Sequence, residues 1–254
     1  MSVTREHLEP SHTPDAIRDR LNDGPDHSYL QDFIYGAIDG AVTTFAVVAG
    51  AAGAGLSAGL VLLFGMANLF ADGFSMAVSN YLGNRSEEQR RERLRAEEHA
   101  HVRAIPEGER EEVRQIFEAK GITGDTLDRV VEVITADEHL WVETMLREEH
   151  GLPVHGRSAI RAGVSTFIAF MIAGSVPLVV FVIDLIVPGA IGNALWWSAG
   201  MTAVTFFATG AAKARVVDES WWWSGLETLG LGGGAALLAY AVGWLLSGLG
   251  GAAV

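Results

Sequence analysis

Five long apolar stretches restrict the fold of this chain more than any other feature of its sequence. They cover residues 33–55, 56–83, 160–187, 192–212 and 228–250. A helix needs about 20 residues to cross the hydrocarbon core of a bilayer, and each stretch reaches that length. Apolar residues run on continuously and do not alternate with polar ones, so the strands of a membrane barrel are not indicated. The sequence therefore predicts an all-α, polytopic membrane protein with five transmembrane helices.

A highly charged segment separates the second apolar stretch from the third. Residues 84–158 contain most of the basic residues of the chain and more than half of its acidic residues. Apolar residues recur in this segment at helical spacing, which is typical of helices that share a small core. They are Val113, Ile116, Phe117, Leu127, Val130, Val131, Ile134, Leu140, Trp141 and Leu146. The segment, here called the charged insert, is predicted to be a helical subdomain between spans two and three.

The distribution of lysine and arginine predicts the orientation in the membrane. Basic residues occur in the tail, in the charged insert and at Lys213 and Arg215, which five spans would place on one side. The turns that would face the other side contain none, and the positive-inside rule then puts the N-terminus and the insert in the cytoplasm. The predicted organisation is a polar cytoplasmic tail at 1–32, spans one and two at 33–83, the insert at 84–158, and spans three to five at 159–254.

The composition excludes several classes of function. The chain has 31 acidic and 18 basic residues, and its formal net charge of −13 argues against binding to nucleic acid. It has no cysteine, which rules out disulfides, iron–sulfur clusters and thiolate zinc sites. No organic cofactor and no catalytic residue are predicted.

A carboxylate lies within the first predicted span. Asp39 stands in the segment Gly36-Ala-Ile-Asp-Gly40, and an acid at the bilayer centre costs at least ~2.5–3.5 kcal/mol. The flanking glycines form a GxxxG face on which another helix can approach closely. Asp39 is therefore a candidate for a metal ligand in the membrane, the alternative being an interfacial residue that reaches water.

The second predicted span carries a polar stripe. Asn68, Asp72, Met76 and Asn80 are spaced by four residues and share one helix face. Oxygen ligands together with a thioether suit a pathway for a desolvated divalent cation such as Fe(II) or Mn(II). The alternative is a polar seam between helices in which Met76 only fills space.

Possible metal ligands in the charged insert come in pairs that share a helix face. The pairs are Glu98 with His101, Glu109 with Glu112, and Met145 with Glu149. A turn at Pro106 could bring the first two pairs together, and carboxylates with one imidazole and one thioether would bind a divalent metal. The alternative is a set of solvated helix faces with weak ion pairs.

Several segments in a fixed order resemble the vacuolar iron transporter family. They are Asp32-Phe-Ile-Tyr-Gly-Ala-Ile-Asp-Gly40, Phe74-Ser-Met-Ala-Val-Ser-Asn-Tyr-Leu82, Glu149-His-Gly-Leu152 and Gly174-Ser-Val-Pro177. Most of the charged insert lies between the second and the third of these segments. The resemblance extends over residues 30–250.

The resemblance implies a secondary transporter, not an enzyme, that exports Fe(II) and often Mn(II) from the cytosol by proton antiport. It implies a homodimer in the lipid bilayer, with a path between the two copies of span one and with Asp39 and Met76 as transport ligands. The metal would also occupy a regulatory site in the insert, with ligands at Glu98, Glu109, Glu112, Met145 and Glu149. The implied location is the plasma (inner) membrane in a prokaryote and a vacuolar-type membrane in a eukaryote.

The sequence departs from the family pattern at three positions, one of which is Leu146 in place of a second methionine. Asn68 stands where the family has a glutamate, and Asp72 supplies a carboxylate one turn further along the span. His101 stands where a further insert glutamate is expected. At the neighbouring position, Glu97 is an alternative to Glu98 as the ligand.

Two other functions remain open from the residues alone. Glu98 and His101 form an E-x-x-H motif like that of ferritin-like di-iron oxidases, but the insert contains no second copy of it. The other alternative is a membrane-anchored metal-binding sensor or scaffold, which would explain the charged insert but not the polar stripe of span two.

Overall fold

A computed structural model describes residues 12–23, 28–153 and 156–250, and all regular structure within these ranges is helical. The helices are α1 (Pro14–Asp23), α2 (Leu30–Gly53), α3 (Ala58–Ala104), α4 (Pro106–Ala119), α5 (Asp125–Thr135), α6 (Glu138–Glu148), α7 (Ala159–Ile186), α8 (Ala194–Val217) and α9 (Trp221–Gly250). The prediction of an all-α chain is confirmed for the described residues.

The chain divides into two compact units. Of the described residues, the membrane unit comprises 28–82 and 159–250, and the insert unit comprises 12–23, 83–153 and 156–158. The long helix α3 begins in the membrane unit, and from Gly83 onward its residues belong to the insert unit.

Four helices are long and apolar enough to cross a membrane. They are α2, α3, α7 and, over Trp221–Gly248, α9. The remaining predicted span corresponds to α8, whose 24 residues are sufficient in length. Threonine, serine and glycine residues interrupt its apolar residues, and it is not among the four. The membrane fold is thus supported by four helices, and the count of five remains a prediction.

The last helix begins earlier than the sequence predicted. The apolar stretch was expected from residue 228, whereas α9 starts at Trp221 and includes the three consecutive tryptophans in its first turn. Trp221 and Trp222 make edge-to-face contacts with each other and with Phe207 of α8, at centroid distances of 5.2–6.0 Å. The first turn of α9 therefore packs against α8 through aromatic rings.

Glycines allow the helices of the membrane unit to pack with their backbones in contact. A Cβ atom at Gly36 would lie 2.5 Å from the Thr166 carbonyl oxygen, and one at Gly40 would lie 2.5 Å from that of Phe170. The GxxxG face of α2 is therefore occupied by α7 of the same chain. On α9, a Cβ atom at Gly243 would overlap the carbonyl group of Gly50 of α2.

Local signals in the sequence account for the short helices of the insert unit. Pro106 occupies the first turn of α4, where its missing N–H costs nothing. Gly124 precedes α5 with φ of +60°, a conformation that favours glycine. Asp137 caps α6, because its Oδ1 accepts hydrogen bonds from the backbone N–H groups of His139 and Leu140 at 2.8 and 3.1 Å.

The insert unit has its own hydrophobic core. Its buried members are Val102, Val113, Leu127, Val131, Ile134, Trp141, Val142, Met145, Leu146 and Leu152. Leu140 was predicted to belong to this core and is instead 44% exposed. On α6 the buried face is formed by residues 141, 142, 145 and 146, and position 140 lies outside that stripe.

Candidate metal sites

Two carboxylates and an imidazole from neighbouring helices form the first cluster of the insert unit. Glu98 comes from α3 and Glu109 from α4, and their side chains are 3% and 2% exposed. The Nδ1 atom of His101 lies 3.5 Å from Glu109 Oε1 and 3.9 Å from Glu98 Oε1. The turn at Pro106 joins the two helices, so this pair of helix faces meets as the sequence led us to expect.

A second cluster shares Glu98 with the first. The Nε2 atom of His150 lies 2.9 Å from Glu98 Oε1 and 3.7 Å from Glu149 Oε2. In each cluster the three possible ligand atoms lie within 4.8 Å of one another, which is close enough for one metal ion.

Two buried carboxylate oxygens in these clusters have no hydrogen-bond partner among the described residues. They are Glu98 Oε2 and Glu109 Oε2. A buried charged oxygen without a partner is costly, and native proteins rarely leave one unpaired. A divalent cation would supply the missing partner for both.

The electrostatics of the insert favour a bound cation. Burial, with the nearby charges of Glu112 and Glu98, raises the pKa of Glu109 to about 7. Burial also raises the pKa of Glu149, and the charges of Glu98 and Glu112 act in the same direction against the opposing effect of His150. Carboxylates that repel one another in this way are relieved by a shared positive ion.

The other two predicted insert ligands, Glu112 and Met145, have different surroundings. Glu112 is exposed and acts on Glu109 and Glu149 through its charge. Met145 is fully buried and packs in the hydrophobic core of the insert unit.

The two adjacent glutamates at the end of α3 have different environments. The side chain of Glu97 is 50% exposed and lies 3.6 Å from Arg93 on the same helix. Glu98 is buried in both clusters. Of the two, Glu98 is the buried one and the one that belongs to the clusters.

Sequence reasoning missed His150. It follows the end of α6 at Glu148, so no helical periodicity connected it with Glu98, which is 52 positions earlier. The only available signal was its place beside Glu149 in the segment Glu149-His-Gly-Leu152.

In the membrane unit, two predicted ligands interact with each other. Asp39 of α2 and Asp72 of α3 are close enough for their charges to repel. Both side chains are partly buried. Met76, one turn along α3 from Asp72, packs against the hydrophobic core of the unit.

The two ends of the polar stripe on α3 differ in their hydrogen bonding. The Asn80 amide nitrogen donates to Asp32 Oδ1 of α2 at 2.9 Å and to Thr166 Oγ1 of α7 at 2.7 Å. Asn80 thus links three helices, which is the polar seam considered above as an alternative. At the other end, the Asn68 amide nitrogen is buried and has no partner among the described residues.

An apolar cavity of the membrane unit is not a candidate cation site. It measures about 610 Å³ and lies between α2, α8 and α9. Its lining is apolar and aromatic, with Phe45, Phe206 and Tyr240 among its residues and no acidic side chain. A cation would find no ligand there.

Comparison with known proteins agrees with the resemblance seen in the sequence. The model of the VIT family matches residues 30–244. The chain is 30% identical over 214 residues to vacuolar iron transporter 1 of Arabidopsis thaliana, and the aligned region covers 84% of each protein. It is also 30% identical over 249 residues to the vacuolar iron transporter of Toxoplasma gondii, which covers 93% of this chain and 82% of that protein. Similarity to vacuolar iron transporter 1 of Oryza sativa is 28% over 214 residues, or 84% of this chain and 83% of the relative.

Proposed function

Because the chain belongs to the VIT family, we propose that it is a secondary transporter that exports Fe(II) from the cytosol. The relatives described above are named iron transporters and not enzymes. The observation in the structure that carries the proposal is the pair of interacting carboxylates, Asp39 and Asp72, within two helices long and apolar enough to span a membrane. Such groups are costly in a bilayer and are typical of ion pathways.

The proposed route has two stages. The buried carboxylates of the insert, Glu98 and Glu109, capture the cation first. It then passes to Asp39, Asp72 and Met76 in the membrane unit. Oxygen ligands with a thioether are compatible with Fe(II) and with Mn(II), so we propose both ions as cargo.

The proposed coupling is proton antiport. Carboxylate ligands must lose their protons before they bind a metal. An acidic far side would therefore favour release of the ion and return of protons to the same groups.

The proposed assembly is a homodimer with five spans per chain and with the N-terminus and insert in the cytoplasm. The GxxxG face of α2 is already occupied by α7, yet Asp39 remains partly exposed on α2. One chain does not enclose this carboxylate, and a second copy that covers it would complete the path. The membrane would be the plasma membrane of a prokaryote or a vacuolar-type membrane of a eukaryote.

The decisive experiment measures Fe(II) uptake into sealed proteoliposomes with an acidic interior. We expect uptake by the wild type, loss of uptake in Asp39→Ala, and loss when the pH gradient is dissipated. Asp184→Asn is the matched control, because this acid lies at the end of α7, where its Oδ1 accepts a hydrogen bond from the Gly189 N–H. Competition by Mn(II) then ranks the two ions.

One result would exclude transport. If well-folded protein binds metal at the insert and gives no uptake, the chain acts as a membrane-anchored sensor or scaffold. An oxo-bridged absorption on addition of Fe(II) in air would instead indicate an oxidase.

A further inference from the structure

The insert unit contains two imidazoles that face the same buried carboxylate. His101 approaches Glu98 from the same helix, and His150 approaches it from the segment that follows α6. The ligand set implied by the family resemblance does not contain His150. Its position therefore requires a separate explanation.

The distances around His150 match those between ligands of one metal ion. Bonds of roughly 2.0–2.2 Å from a cation to nitrogen and oxygen place neighbouring ligand atoms about 3.0–3.6 Å apart. His150 Nε2 lies 2.9 Å from Glu98 Oε1 and 3.7 Å from Glu149 Oε2. A small adjustment of three side chains would place all three atoms on one ion.

Two of the three residues of this cluster are shielded from solvent, whereas Glu149 is 44% exposed. Glu98 is 3% exposed, and its Oε2 atom has no partner among the described residues. The His150 side chain is only 23% exposed. A buried oxygen that lacks a partner, beside a largely enclosed imidazole, points to a ligand that the two residues share.

A simpler role for His150 would be to orient Glu98 by a hydrogen bond. That role needs only the 2.9 Å contact with Glu98 Oε1 and leaves the buried, unpartnered Glu98 Oε2 without an explanation. Imidazole nitrogen also changes the chemistry of an otherwise carboxylate site. It is a good ligand for Fe(II), Co(II) and Zn(II), whereas all-oxygen sites suit Mn(II) and Mg(II).

We propose that His150 is a metal ligand in the cluster that it forms with Glu98 and Glu149. The two imidazoles, one in each of the clusters that share Glu98, then make the insert prefer Fe(II), Co(II) and Zn(II) over Mn(II). The inference rests on the proposed function only in taking a divalent metal as the ion bound. It adds a selectivity filter at the insert, before the ion reaches Asp39.

The test uses the purified full-length chain with Asp39→Ala, so that the ligand pair of the membrane unit does not contribute. Mn(II) is bound, and pulsed electron paramagnetic resonance reports nitrogen nuclei coordinated to it. We expect nitrogen modulation in this parent protein, a decrease in His150→Leu, and its disappearance when His101→Leu is added.

A second measurement tests selectivity by competition between Co(II) and Mn(II). We expect His150→Leu to lower the preference for Co(II) over Mn(II) by about tenfold or more. Mutation of a residue around a bound metal commonly lowers the metal affinity by about 10–100-fold. The matched control is His139→Leu, which removes an exposed imidazole of the same unit from outside both clusters. It should change neither the spectrum nor the ratio.

Two outcomes would overturn the proposal. The first is the absence of nitrogen modulation in the parent protein, which requires no variant and so does not depend on how a variant folds. The second is an equal loss of affinity for both ions in His150→Leu and His150→Gln with an unchanged spectrum, which would mean that His150 only orients Glu98. Binding is measured without flux, so these outcomes are independent of the transport assay.

Discussion

The membrane unit and the insert unit use buried polar groups in opposite ways. In the membrane unit, Asn80 and Thr166 are joined by a hydrogen bond that links two helices. In the insert unit, Glu98 and Glu109 are buried with one oxygen each left without a partner. The difference teaches that a polar residue in a helix face gains its role from whether its atoms are satisfied, because satisfied groups hold helices together and unsatisfied ones are available to a ligand.

The contrast is not complete, because Thr44, Asn68 and Ser224 of the membrane unit each have a buried polar atom without a partner among the described residues, and Asn68 is the informative case. Asn68 is in the membrane unit, and its amide nitrogen is buried without a partner among the described residues. It stands one turn from Asp72 on the face that we propose as the ion path. Within the polar stripe, the unpaired amide of Asn68 thus lies beside Asp72, at the proposed ion path. The paired amide of Asn80 lies at the seam between helices.

The largest expected effect comes from breaking the backbone packing of the membrane unit. In Gly243→Ala the new methyl group would overlap the Gly50 carbonyl, and we expect a cost of about 3 kcal/mol or more. Gly233→Ala on the same helix is the control, since a Cβ atom there meets nothing within 4 Å. Thermal unfolding and the monodisperse fraction in detergent distinguish the two. Equal behaviour of the two variants would show that α2 and α9 do not pack through Gly243.

The second prediction concerns the insert unit and separates binding from stability. Glu98→Gln removes a shared ligand and should lower Co(II) affinity by about 100-fold. It should not lower the unfolding temperature of the metal-free protein, because the variant removes a buried, incompletely paired charge.

The adjacent residue provides the control for that prediction. Glu97→Gln changes a half-exposed side chain, and we expect little change in Co(II) affinity. A larger loss in Glu97→Gln than in Glu98→Gln, measured by the same titration, would transfer the ligand role to Glu97.

The third prediction applies the same logic to the membrane unit, where the sign reverses. Asn80→Leu leaves Asp32 and Thr166 without their shared donor and should destabilise the protein by about 1–3 kcal/mol. Metal affinity of the insert should not change. Ser79→Ala, at an exposed neighbouring position, is the control for thermal unfolding. A stable Asn80→Leu protein would mean that the seam contributes nothing to the fold.

Much of the fold could be predicted from the sequence because membrane helices are specified locally. Apolar runs identified α2, α3, α7 and α9. They did not reveal that α9 begins at Trp221, where Trp221 and Trp222 contact Phe207. The GxxxG face of α2 was recognised, but only the structure shows that its neighbour is α7 of the same chain.

The candidate sites were predictable only in part, because spacing reports a shared face and not a partner. A spacing of four placed Asn68 and Asn80 on one stripe, and their hydrogen bonding then proved different. Glu98 and His101 were found because they lie within one helix. His150 was not found, since its closeness to Glu98 depends on how the chain folds back after α6.

The last prediction is a dependence of stability on pH that arises from Glu109 and develops gradually over more than two pH units. The pKa of this carboxyl rises from 4.5 to about 7, mainly because of burial. The folded state therefore holds the proton more tightly than the unfolded state does. The stability gained from this proton is fully present below about pH 4.5 and is lost as the pH rises through about 7. The unfolding temperature of the metal-free protein should fall over this pH interval, and it should fall less in Glu109→Gln. Glu107→Gln, an exposed change on the same helix, should keep the wild-type slope.

Bound Co(II) should reverse the trend, because the metal competes with the proton for the same oxygens and binds better as the pH rises. A slope that is unchanged by Glu109→Gln would show that this carboxyl is not strained in the metal-free insert, and would remove the electrostatic difference between the two units at this residue.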